Sequence, residues 1–191
     1  SAERRAAKAL PISLLLVIDR SGSMGVQGKL SMALRAAEEA AATLSPTDRV
    51  AAITFADTAT VDAPFRPAAV AAAMGLVGNV SADGNTDIYE ALVVAERTMS
   101  AETSPIRHIL LLTDGEQSSP AFFTDLVARL HDQGITITTV GLGDRVAEFF
   151  LKSLARQGGG RFFFAPGPKD LPRVLIRDTR RVVDARLDRA E

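Results

Sequence analysis

The sequence predicts an α/β protein: a doubly wound, mostly parallel six-stranded sheet with helices on both faces. Three observations carry this. Short, nearly continuous apolar runs recur along the chain, as strands buried on both faces require. Amphipathic stretches of helical period separate them. The 191 residues, 47% hydrophobic and 24% charged, suffice for one domain with a sizeable core.

Ile12 to Ile18 is almost wholly apolar and reads as the first strand. Lys29 to Leu44 repeats alanine and leucine with charges on one side, a helix stopped by Ser45-Pro46. Arg49 to Phe55 is the second strand and Thr60 to Phe65 the third, with only Ala56 to Ala59 between them. A parallel crossover needs about a dozen residues or more, so this pair should be an antiparallel hairpin with the third strand at an edge. Ala68 to Leu76 reads as a short helix and Thr86 to Met99 as a longer one. His108 to Thr113 is the fourth strand, Pro120 to Gln133 a helix and Ile135 to Gly141 the fifth strand. Val146 to Gln157 is a helix ended by Gly158-Gly159-Gly160, and Arg161 to Phe164 is the sixth strand. An arginine-rich amphipathic helix runs from Asp170 onwards. The reading is therefore a single domain over 1–191, with its core at about 11–166, an N-terminal arm at 1–10 and a C-terminal helix at 170–191. The abrupt opening Ser1-Ala2-Glu3-Arg4-Arg5 suggests a piece of a larger protein.

Composition narrows the function. The net charge of −1 leaves no electrostatic footprint for nucleic acid or for an acidic membrane surface. The absence of cysteine removes disulfides, thiol catalysis and zinc–thiolate sites. No run approaches the ~20 apolar residues that cross a bilayer. A monomer without direct membrane contact is expected.

The motif that carries chemistry follows the first strand. Asp19, Ser21 and Ser23 form a D-x-S-x-S turn, offering one carboxylate and two hydroxyls at alternate positions. Hard oxygen donors of this kind suit Mg²⁺, Mn²⁺ or Ca²⁺ rather than zinc or copper. Thr86 lies in Asp-Gly-Asn-Thr-Asp, and Asp114 ends the run Ile-Leu-Leu-Leu-Thr-Asp-Gly. In a doubly wound sheet of order 3-2-1-4-5-6, strands one and four are neighbours where the winding reverses, and ligands bind beyond the carboxyl ends of strands at that point. Asp19 and Asp114 should converge there, with Thr86 at the same edge.

These three elements together resemble the von Willebrand factor A (VWA) domain, of bacterial type, which carries a metal-ion-dependent adhesion site (MIDAS). The match falls on Asp19, Ser21, Ser23, Thr86 and Asp114. Asn85 stands where the family has a second glycine, and asparagine tolerates a left-handed backbone better than most residues. The resemblance implies a protein-interaction module in which Ser21, Ser23 and sometimes Thr86 bind the ion directly, while Asp19 and Asp114 act largely through water. The ion keeps an open position for an Asp or Glu of a partner protein. Mg²⁺ fits such a site, Mn²⁺ could substitute, and Ca²⁺ fits less well because calcium cages gather more carboxylates and carbonyls. The segment Gly-Gly-Gly-Arg-Phe-Phe-Phe-Ala and the helix after it look like the end of VWA domains from large bacterial membrane-anchored proteins, which implies a parent of that kind.

Other readings fit less well. Gly22 to Lys29 fails the phosphate-loop pattern at both ends, because Ser23 and Leu30 stand at defining positions, and it also fails the dinucleotide fingerprint. The alternative function is a metal-dependent hydrolase. Asp19 could then be a phosphotransfer nucleophile, but Ser21 occupies the place of the second aspartate. His131, near a helix end, reads as a dipole-compatible cap, and His108 should lie at the strand end opposite Asp114. Asp87 is either an acceptor behind the site or a first-turn helix charge, and Glu116 a solvated loop acid. Phe149, Phe150 and Phe162 to Phe164 read as core, with Phe163 on the other face from its neighbours. Arg177, Arg180, Arg181, Arg186 and Arg189, interleaved with Asp178, Asp184 and Asp188, read as a solvated, ion-paired helix face.

Overall fold

The computed structural model describes residues 10–115, 123–143 and 146–188. Six strands form one sheet in the order β3-β2-β1-β4-β5-β6. They are β1 (Ile12–Asp19), β2 (Arg49–Phe55), β3 (Ala59–Pro67), β4 (Ile106–Thr113), β5 (Ile135–Leu142) and β6 (Gly159–Ala165). All neighbours pair in parallel except β2 and β3, which are antiparallel. The short Ala56–Ala59 connection thus has the expected outcome: a three-residue turn and a reversed edge strand.

Helices cover both faces. They are α1 (Lys29–Ala41), α2 (Ala68–Met74), α3 (Ile88–Ser100), α4 (Phe123–Asp132), α5 (Glu148–Gln157) and α6 (Leu171–Asp188). The pleat of β1 sorts its residues between two cores. Leu14, Leu16 and Ile18 join the layer with Leu30, Ala33, Ala37, Leu171 and Leu175 of α1 and α6. Leu15 and Val17 join the layer with Leu92, Leu126 and Leu154 of α3, α4 and α5. All eight residues of β1 are buried, which explains why its sequence shows no alternation.

Several boundaries differ from the sequence reading, each for a local reason. Helix α3 starts at Ile88 rather than Thr86, because the Asp87 side chain accepts the Glu90 N–H at 2.9 Å and caps the helix. The glycine triplet does more than end α5. Gly159 and Gly160 are the first residues of β6, and a Cβ on Gly160 would lie 2.0 Å from the Ile137 carbonyl oxygen. Strand β6 can therefore approach β5 only without a side chain there. The expected start of the fourth helix at Pro120 and the loop acid Glu116 lie outside the described residues, as do 1–9 of the N-terminal arm.

The aromatic expectation holds in part. Phe150 and Phe162 pack against one core and Phe163 against the other, so Phe163 does face the opposite way. Phe149 is 89% exposed and Phe164 is 44% exposed, which corrects their placement in the core. Phe149 falls in the first turn of α5, on the face turned from the sheet. The arginine-rich helix is corrected in part: Arg177, Arg180 and Asp184 are exposed as expected, but Asp178 is not. Arg177 and Arg181 lie over the Phe163 ring, at 5.8 and 5.9 Å from its centroid. Asp178 is buried and accepts from Thr138 Oγ1 at 3.1 Å. Its other oxygen pairs with His108 Nε2 at 2.8 Å, while His108 Nδ1 meets Thr136 Oγ1 at 2.6 Å. This polar cluster pins α6 to the amino-terminal ends of β4 and β5.

Candidate metal centre

The five predicted site residues lie at one edge of the sheet, at the carboxyl ends of β1 and β4. Asp19 is the last residue of β1 and is fully buried. Its Oδ1 accepts the Ser21 N–H at 2.7 Å, which closes the turn, and its Oδ2 accepts Thr113 Oγ1 at 2.6 Å from the end of β4. Burial raises the Asp19 carboxyl above its usual pKa. The bonds from Thr113 and Ser21 oppose this rise, and the charge of Asp114 adds to it.

Beyond the turn, Met24 is fully buried and plugs the chain into the core, while Ser23 is exposed. The Ser21 and Ser23 hydroxyl oxygens lie 3.2 Å apart. Ser23 Oγ donates to Asp114 Oδ1 at 2.7 Å, and Lys29 Nζ donates to Asp114 Oδ2 at 2.6 Å. Asp19 and Asp114, far apart in sequence, are thus joined through the serine turn.

Backbone bonds bring the threonine loop to the same place. Arg20 N–H donates to the Phe55 carbonyl at 2.8 Å, Gly22 N–H to the Gly84 carbonyl at 2.9 Å, and Asp83 N–H to the Arg20 carbonyl at 2.9 Å. Asp57, in the β2–β3 turn, accepts from Asn85 N at 3.1 Å and Asn85 Nδ2 at 2.8 Å. These bonds, the side-chain one foremost, hold the Asp57 carboxyl below its usual pKa. Asn85 thus clamps the loop rather than merely substituting for a glycine. Thr86 reaches the neighbourhood of Asp114: a Cβ on Gly115 would lie 2.8 Å from Thr86 Oγ1.

Three contributors were missed in the sequence: Lys29, Asp57 and Thr113. Thr113 had a readable signal, since it is the polar residue that closes the apolar run Ile109 to Leu112 directly before Asp114. Lys29 looked like an ordinary first helical residue, and Asp57 like a turn former.

The donor set suits a hard divalent cation. An octahedral ion with bonds of about 2.1 Å places adjacent ligands about 3.0 Å apart, close to the 3.2 Å between the serine hydroxyls. Each oxygen of the two carboxylates already accepts one protein donor, and the Ser21 and Ser23 hydroxyl oxygens lie beside them. Among the described residues no three acidic, His or Cys side chains gather as a cage; the site is built chiefly from hydroxyls. A cleft of about 430 Å³ opens beside it, lined by Ser23, Val26, Lys29, Asp114, Leu142 and Pro168.

A doubly wound sheet with a cluster of hydroxyls and carboxylates at its switch point defines a class of α/β domain. The von Willebrand factor type A domain matches residues 13–175, and the chain belongs to that family, whose members are generally interaction modules rather than enzymes. The solved von Willebrand factor type A protein from Catenulispora acidiphila superposes with a TM-score of 0.82 at 26% identity, covering 91% of this chain and 43% of that one. An uncharacterised Synechocystis protein, sll0103, is 28% identical over 169 residues, 85% of this chain and 40% of its own length. The chain thus spans about two fifths of either relative. Proximal thread matrix protein 1 from the mussel byssus shares the fold at a TM-score of 0.73 and 18% identity, covering 92% of this chain and 46% of its own. Its structure is described with a zinc-occupied MIDAS motif.

Proposed function

We propose that this domain is a metal-dependent protein-interaction module. It binds an aspartate or glutamate of a partner protein through a divalent cation at the Asp19-x-Ser21-x-Ser23 turn. Residues 1–191 act as one domain in this role. Ser21, Ser23 and Thr86 would hold the ion, and Asp19 and Asp114 would orient the hydroxyls and supply charge behind it.

One observation carries the reading. Each carboxylate oxygen already accepts from an N–H or O–H donor, while two hydroxyl oxygens lie 3.2 Å apart, that of Ser21 buried and that of Ser23 on an exposed residue. Neutral direct ligands leave a divalent ion short of negative charge, and a partner's carboxylate supplies it. Mg²⁺ or Mn²⁺ suits an all-oxygen site that keeps waters. The zinc in the mussel protein's motif makes zinc a necessary comparison. Among the described residues the two histidines, the usual general bases, lie elsewhere: His108 is engaged with Asp178 and Thr136, and His131 lies in the last turn of α4. Neither histidine is placed as a base for this site, which disfavours the hydrolase reading.

Calorimetry with Mg²⁺, Mn²⁺ and Zn²⁺ tests the proposal. Wild type should bind Mg²⁺ or Mn²⁺, and Asp19→Ala should lose that binding while remaining folded by circular dichroism. Equal affinity in the variant would refute the assignment.

A further inference from the structure

The sequence motif leaves Lys29 unassigned, yet Lys29 touches a buried carboxylate of the site, that of Asp114. Its Nζ lies 2.6 Å from Asp114 Oδ2, and the two side chains are 20% and 1% exposed. We propose that Lys29 is a built-in cation of the metal centre: it competes with the divalent ion for Asp114, so setting the metal affinity, and it stays as a second positive charge facing the acidic ligand. This rests on the metal-dependent reading above.

Local structure argues that the lysine is placed rather than incidental. It opens α1, a 13-residue helix with no acidic residue in its first turn. The amino end of a helix carries partial positive charge and disfavours a lysine. The chain reaches this position through two consecutive left-handed residues, Gln27 at φ 55° and Gly28 at φ 68°. Gln27 is the one non-glycine residue with positive φ among the described residues, a conformation that costs energy for a side chain with a Cβ. That turn points the first residue of α1 back across the cleft to Asp114. The same cleft is lined by Ser23, Lys29 and Asp114 together, so a ligand reaching the ion from there passes the ammonium.

Charge bookkeeping gives the consequence. Without metal, Lys29 neutralises one of two carboxylates. With a divalent ion, two carboxylates, one ammonium and the ion leave a net positive charge. The loaded site therefore repels further cations and favours an anionic ligand, while the lysine opposes loading itself.

The test uses Mn²⁺ alone and then acetate as a monocarboxylate probe, on wild type, Lys29→Met and Lys29→Arg. Met keeps the apolar stem and removes the charge. Lys29→Met should bind Mn²⁺ more tightly by about tenfold, the scale of one nearby charge in a partly exposed setting. It should melt lower than wild type in EDTA, because Asp114 loses its counter-ion, and it should gain more stability from Mn²⁺. With Mn²⁺ saturating, acetate should bind Lys29→Met more weakly than wild type. Lys29→Arg should behave as wild type in all three. A folded Lys29→Met with unchanged or weaker Mn²⁺ affinity overturns the competition. Equal acetate binding, or none in either protein, overturns the ligand-facing role. If wild type itself takes up no Mn²⁺, the metal-dependent reading fails, an outcome distinct from a normal wild type that the variant matches.

Discussion

Replacing Thr113 by valine keeps the shape of a fully buried side chain and removes one oxygen. That oxygen donates to Asp19 Oδ2 at 2.6 Å and accepts the Gly115 N–H at 3.1 Å. A hydrogen bond to a charged group contributes about 1.5–3 kcal/mol, and orphaning the half-buried Gly115 amide adds up to about 1 kcal/mol. The expected loss is about 2–4 kcal/mol, allowing for partial relaxation. In a domain of about this size each kcal/mol moves Tm by about 2–4 °C, so Tm in EDTA should fall by roughly 4–16 °C. Mn²⁺ affinity should fall by about 10–100-fold, as when a group that orients a metal site is lost. The pH dependence has a definite sign. Burial holds the Asp19 carboxyl above its usual 3.8. The folded state therefore keeps a proton that the unfolded state has released, and ionising Asp19 costs stability. In EDTA this group's contribution is most favourable below 3.8 and declines as pH rises through the raised pKa. Valine removes a bond that favours the charged form, so the variant's deficit should be larger above that window than below it. Thermal melts by circular dichroism across pH, with Mn²⁺ calorimetry, read all of this. Wild-type melting and affinity in Thr113→Val would refute the role given to this hydroxyl, and Thr113→Ser should restore most of both.

Gly160→Ala should destabilise by roughly 3 kcal/mol or more by denaturant unfolding, since the added Cβ meets the Ile137 carbonyl; a change below about 1 kcal/mol would mean that β6 shifts freely. Asp57→Ala should weaken Mn²⁺ by several-fold in calorimetry with little change in Tm. The Asp57–Asn85 bonds should persist above pH 3.8 and be lost as pH falls through the lowered Asp57 pKa. Phe149→Ser should leave Tm nearly unchanged, whereas Phe123→Ala, at 4% exposure and edge-on to Tyr89 and Phe150, should cost about 3–5 kcal/mol. In EDTA the wild type should still melt cooperatively, because two apolar cores rather than a metal hold the sheet.

The sheet was legible because its strands are buried on both faces. Ile12 to Ile18 and Ile109 to Leu112 leave little room for another assignment, and the short β2–β3 connection dictates the antiparallel edge. The convergence of Asp19 and Asp114 was legible because strand order brings the ends of β1 and β4 together, whereas Ser21, Ser23 and Thr86 were named from the resemblance to the VWA motif. What escaped depended on facts no local pattern encodes. Phe149 is as apolar as Phe150, and only the docking angle of α5 separates exposed from packed. Asp178 sits among arginines and looks solvated until the partner of its face, His108 on β4, is known. Lys29 required the trajectory set by Gln27 and Gly28, a backbone turn that residue types do not announce.

The peg formed by Asp178 bears on how α6 can move. A helix that slides along a sheet advances in steps of one turn, about 5.4 Å. One step in either direction would bring Val174 or Val182 to the place of Asp178. His108 and Thr138 would then face an apolar side chain in a buried setting, and losing one partner of such a cluster costs about 3–5 kcal/mol. Helix α6 therefore has one seat rather than a ratchet of equivalent seats. Traction along its axis would have to break the polar peg before the apolar contacts with α1 could slip.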